Sequence, residues 1–142
     1  MPELPEVDTV RRSLEPHIAG RRCRAVTLLR PDIVDGPPAG RGLLEGAEIS
    51  AIRRRGKQLA LVAKDGRVLV VHLGMTGRLI WNGAHDSSPH VHALWRFDGG
   101  GTMRFVDPRR FGGLTPLRDV GALERRWAAL GPDALTIGPE DL

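Results

Sequence analysis

Gln58-Leu59-Ala60-Leu61-Val62-Ala63-Lys64-Asp65-Gly66-Arg67-Val68-Leu69-Val70-Val71-His72-Leu73 is the stretch from which the fold of this 142-residue chain is read. Two short apolar runs, 58–63 and 68–73, flank Asp65-Gly66, and Asp-Gly between such runs signals a β-hairpin. Strand-like segments extend from it in both directions. On the N-terminal side lie residues 47–53 and 24–30, separated by a Pro/Gly loop over 35–42. On the C-terminal side 78–81 ends at a loop over 82–89, and 92–97 and 102–106 are joined by Gly99-Gly100-Gly101. At the chain's beginning Val7, Val10, Leu14 and Ile18 recur at helical spacing, with Glu6 and Asp8 in the first turn and Gly20 as the C-cap. A second amphipathic helix is predicted over 119–130, with Val120, Leu123, Trp127 and Leu130 on its apolar face and Gly131-Pro132 as its stop. Helix, seven or eight antiparallel strands, helix: the order predicts a mainly β fold, a two-layer antiparallel β-sandwich or flattened barrel with a helix at each end of the chain.

The bulk properties agree with one folded domain. Hydrophobic residues make up 41% and charged residues 27%, as in ordinary globular proteins. No apolar run is long enough to span a membrane and no basic-then-apolar leader opens the chain, so a cytoplasmic location is expected. The single cysteine, Cys23, leaves neither an internal disulfide nor a Cys-rich zinc site within the chain. Lys and Arg number 21 against 17 Asp and Glu, and only Lys57 and Lys64 are lysines. Arginine excess suits phosphate recognition, although a GC-rich genome produces it too. We find no internal repeat and no low-complexity tract. Residues 1–132 read as one domain, and 133–142, rich in Pro, Gly and acidic residues, as the start of a linker.

Five constellations carry chemistry. Met1-Pro2-Glu3-Leu4-Pro5-Glu6 would, on loss of Met1, begin with a secondary amine between two carboxylates. An α-amino group titrates near about 8, against about 10.4 for lysine, so some of it is neutral at neutral pH and able to attack a carbonyl carbon. A helix N-terminus beside it lowers that value further. Equally, the segment serves as a helix lead-in. Arg53-Arg54-Arg55-Gly56-Lys57 reads as a phosphate clamp whose glycine presents Lys57, or as a charged edge strand. His72-Leu73-Gly74-Met75-Thr76-Gly77 places Met75 at the tip of a Gly-bounded turn, as core filler or as a wedge between bases. Asp107-Pro108-Arg109-Arg110-Phe111-Gly112-Gly113 holds two arginines and a phenylalanine in a loop, suited to filling a gap in a base stack while an arginine reads the orphaned base. His90-Val91-His92 sets two histidines on one strand face, but no further ligand has a sensible spacing, so no metal site is expected.

In this order, Pro-Glu-Leu-Pro-Glu-Val, Gly-Lys at 56–57, His-Leu-Gly-Met-Thr-Gly and Asp-Pro-Arg-Arg-Phe-Gly resemble the N-terminal domain of the formamidopyrimidine-DNA glycosylase family, from Pro2 to about Leu135. The resemblance implies base-excision DNA repair: removal of oxidised purines such as 8-oxoguanine and formamidopyrimidines, followed by β,δ-elimination at the abasic site. It implies Pro2 as the nucleophile at C1′, Glu3 as the acid/base group, Glu6 as a supporting carboxylate and Lys57 as the holder of the neighbouring phosphate. Met75, Arg109 and Phe111 would fill the void left by the flipped nucleotide, and His72 would lie near the DNA backbone. The DNA-binding residues expected of this chain are Lys57, His72, Met75, Arg109, Arg110, Phe111 and His92. The partner is double-stranded DNA carrying an oxidised purine or an abasic site, bound by a monomer. No cofactor is expected within the chain; the family's zinc site would lie in a C-terminal region that, with the helix–two-turn–helix domain, falls outside these residues. The alternatives are a DNA-binding domain without turnover and the endonuclease VIII branch, which acts on oxidised pyrimidines. Leu4, Met75 and the 109–111 loop favour the purine branch.

Overall fold

The computed structural model describes residues 3–35, 43–74, 76–81, 90–108 and 112–130, with side chains from residue 9 onward in the first helix. Helix α1 (Glu3–Ile18) is followed by strands β1 (Cys23–Leu28), β2 (Ile49–Arg55), β3 (Gln58–Ala63), β4 (Val68–His72), β5 (Arg78–Trp81), β6 (Val91–Phe97), β7 (Thr102–Val106) and β8 (Gly113–Leu117), then helix α2 (Val120–Ala128). The strands form two antiparallel four-stranded sheets, ordered β1-β6-β7-β5 and β2-β3-β4-β8. This is the expected two-layer sandwich.

The first core lies between the sheets, around Trp95, Phe97, Phe105, Leu59, Leu61 and Leu69. A second cluster joins Ala60, Val68 and Val70 to Leu123 and Trp127 of α2. The β2-β3-β4-β8 sheet is therefore covered on both faces, which is why β3 and β4 read as continuous apolar runs instead of alternating ones. Burying a side chain such as Leu123 contributes roughly 1.5–3 kcal/mol. Helix α1 packs against β2 and β5, the two strands that edge the sheets on one side, and inserts Leu14 and Ile18 into the first core. Glu15 Oε2 accepts the Ile52 N–H at 3.3 Å, so the helix also covers part of an open strand edge. On the other side a 3-10 turn, Pro31–Ile33, leads to a parallel bridge between Val34 and Leu114. Among the described residues no helix is long and apolar enough to cross a membrane.

Most expected elements form, with three departures. β8 was absent from the expected strand set because Gly113 and Pro116 mark it as loop. At a sheet edge half of a strand's N–H groups lie outside the ladder, so Pro116 is accommodated. Leu130, expected on the apolar face of α2, is 53% exposed, because the helix stops at Ala128 and Leu130 falls beyond its last turn. β2 begins at Ile49, not at Ala47, whose N–H closes a turn onto the Leu44 carbonyl. The expected linker over 133–142 and most of the 35–42 and 82–89 loops lie outside the described residues.

Candidate nucleic-acid interface

Three chain reversals meet at one end of the sandwich. The first is the β2–β3 turn, Gly56-Lys57, where Arg55 pairs with Gln58 and only two residues remain to reverse the chain. Gly56 has φ +57°, a conformation that suits glycine at the first position of such a turn. Lys57 follows it, tied by its carbonyl to the Leu73 N–H at 3.2 Å. That bond brings in the second reversal, after β4, which closes when the Gly77 N–H donates to the Leu73 carbonyl at 2.7 Å. The third follows β7. Gly112 re-enters the sheet so tightly that a Cβ there would overlap the His72 carbonyl. The Gly20 N–H donates to the Ile49 carbonyl at 2.7 Å, and Glu15 meets Ile52. Helix α1 thus runs antiparallel to β2, and its N-terminal half heads for this same end.

The charge here is positive and layered. Arg55, Gln58, His72 and Gly113 are successive register partners across the sheet, so they share the face that α2 covers. From α2, Arg126 Nε and Trp127 Nε1 both donate to Gln58 Oε1, at 3.2 and 3.0 Å. Arg53 lies over the Trp127 ring at 5.4 Å, a cation–π contact. Burial, then the Arg126 guanidinium, then the Lys57 ammonium, holds the His72 imidazole below its usual value. With Arg126 and Lys57 as its neighbours, the His72 ring keeps an N–H with which to donate a hydrogen bond. Together the three groups make a surface that a phosphodiester would stabilise.

Of the residues singled out from sequence, Lys57 and His72 share this end. His92 does not reach the surface: it is 2% exposed, and its Nε2 donates to the Asp107 carbonyl at 2.8 Å. Its expected place among the DNA-contacting residues is corrected to that of a buried support. The register shifts between Val91 and Ala93, and this bulge turns His92 inward while His90 stays exposed. Pro2, Met75, Arg109, Arg110 and Phe111 lie outside the described residues, as do the side chains of Glu3 and Glu6. Sequence reasoning passed over Arg126, Gln58, Thr76 and Asp107. Arg126 looked like any charge on a helix surface; Asp107 looked like the punctuation before Pro108. Among the described residues no group of three or more His, Cys, Asp and Glu is arranged to hold a metal ion.

Comparison with known proteins shows the family and the fold. The family model described as the formamidopyrimidine-DNA glycosylase N-terminal domain matches residues 1–114. A formamidopyrimidine-DNA glycosylase of Symbiobacterium thermophilum is 43% identical over all of this chain and 45% of its own length. That of Stenotrophomonas maltophilia is 44% identical over 95% of this chain and 50% of its own. The chain thus spans about half the length of the relatives it matches. Among solved structures, the Lactococcus lactis enzyme in complex with DNA containing FAPY-dG has a TM-score of 0.75 at 30% identity, covering 87% of this chain and 47% of that one. The same protein bound non-covalently to DNA with an AP site has a TM-score of 0.77 at 29% identity, over 89% and 48%.

Proposed function

The chain belongs to the formamidopyrimidine-DNA glycosylase family through that family's N-terminal domain, and from that premise we propose that it carries the nucleophile-bearing half of an oxidised-purine DNA glycosylase and AP lyase. The Pro2 nitrogen, with Met1 removed, bonds to C1′ of the extruded nucleotide. The glycosidic bond breaks, and the base leaves with its electron pair and takes up a proton. Glu3 protonates the ring oxygen, which opens the sugar to an iminium, and Glu6 supports it. Loss of the C2′ proton then expels the 3′ phosphate, and a second elimination releases the 5′ side. Lys57 and His72 hold the adjoining phosphodiester, while Met75, Arg109 and Phe111 occupy the vacated stack, with Arg110 beside them. These steps draw only on an amine, carboxylates and cations. The setting is the bacterial cytoplasm, on duplex DNA, as a monomer.

One observation carries this reading: the Lys57 turn, the His72 strand end and the reversals beside positions 75 and 109–111 meet where the N-terminal half of α1 is heading. Extruding a base costs a few kcal/mol, so nucleophile, phosphate clamp and wedge have to act on one nucleotide at once. The test is borohydride trapping on a duplex with a single abasic site, once intact mass shows that Met1 is absent. A covalent adduct that disappears in Pro2→Gly and weakens in Lys57→Ala is expected. A second reading, DNA binding without turnover, needs only the cations grouped around Gln58 and His72. Salt-sensitive binding with no adduct would favour it.

A further inference from the structure

We propose that Asp107 is a positioning residue that fastens together the two turns flanking positions 75 and 109–111, so that both turns meet a duplex as one preset unit. The inference rests on the proposed DNA-repair function and deepens it. Asp107 has no exposed surface. Its Oδ1 accepts the Thr76 hydroxyl, from the residue that directly follows Met75. Its Oδ2 accepts the Gly112 N–H at 2.7 Å, from the residue that directly follows Phe111. The backbone of Asp107 is held as well: its N–H donates to the His90 carbonyl at 3.1 Å, and its carbonyl accepts from the buried His92 ring at 2.8 Å. A carbonyl can only accept, so His92 carries its proton on Nε2.

The chemistry of this arrangement is specific. A carboxylate is a costly group to bury, tolerated only when donors meet it. Here the two oxygens meet donors from two different turns, Thr76 on one and Gly112 on the other. Wedge residues recover part of the cost of unstacking. Any ordering that occurs only on insertion subtracts from that recovery. A buried link made before DNA arrives removes part of that ordering cost. This also accounts for His92, whose burial serves Asp107 and not the duplex.

The test uses the 142-residue chain and its variants Thr76→Val, Thr76→Ser and Asp107→Asn on a duplex with 2-aminopurine beside an abasic-site analogue. Fluorescence at saturating protein reports unstacking, and the salt dependence of binding reports the phosphate contacts. The wild type and Thr76→Ser are expected to brighten the probe. Thr76→Val and Asp107→Asn are expected to lower the ratio of unstacked to stacked complex about tenfold, as for one hydrogen bond to a carboxylate, with the salt slope unchanged. Valine is close in shape to threonine, so Thr76→Val carries the test even where Asp107→Asn does not fold. Equal brightening by all four proteins overturns the inference and leaves the repair function standing. A wild type that binds without brightening, or does not bind, overturns both.

Discussion

His72 shows how single residues acquire their chemistry here. Its imidazole is held down by burial, Arg126 and Lys57, in that order. Removing one neighbouring cation relaxes that restraint, so Arg126→Gln should raise the His72 pKa, read by NMR titration of the ring protons; an unchanged value would contradict the arrangement around Gln58. The sign for stability follows. With its folded-state value below the unfolded 6.5, His72 contributes stability that is present above pH 6.5 and lost as pH falls towards the folded-state value. His72→Gln should flatten that part of the acid profile. At this scale the sequence was partly legible. Gly56-Lys57 announced a turn presenting a lysine, because positive φ is a local property of glycine. His92 was misplaced because alternation along β6 breaks at a bulge that only the partner strand creates.

Among the elements, α2 holds together by local and distant bonds of different kinds. Its N-cap is Asp119, whose side chain accepts the Ala122 N–H at 2.8 Å. Asp119→Ala should cost about 1 kcal/mol, seen as a lower midpoint in thermal unfolding, and should loosen Arg126 and Trp127 from Gln58. An unchanged midpoint would mean that packing of Leu123 and Trp127 alone holds the helix. Caps and periodicity made α2 readable from sequence, as they did α1 with Gly20 at φ +80°. β3 and β4 were readable from the turn between them. β8 was not: Gly-Leu-Thr-Pro-Leu has no strand signature, and it becomes a strand because the free edge of β4 and the Val34 segment are there to pair with it.

For the whole molecule, closure of the sandwich is the governing fact. Cys23 sits fully buried in the first core, and burial pushes its thiol up to about 12. A disulfide reagent at pH 8 should therefore modify it only as fast as the protein unfolds, with the rate rising through the denaturant transition. Prompt modification of the native protein would show that the core opens locally. The same group makes stability undiminished below the unfolded thiol's value of 9.0 and lower as pH rises from there towards 12. The sequence by itself determined the class of fold, the hairpins, the two helices and the family, because hydrophobic period, glycine turns and contiguous motifs act over a few neighbouring residues. Only the tertiary structure decided which face each charge occupies, that Arg126 joins Lys57 and His72, that His92 is interior, and that Asp107 ties two distant turns. Those outcomes depend on which strands pair and in what register, and registry is a contest between segments far apart in the chain.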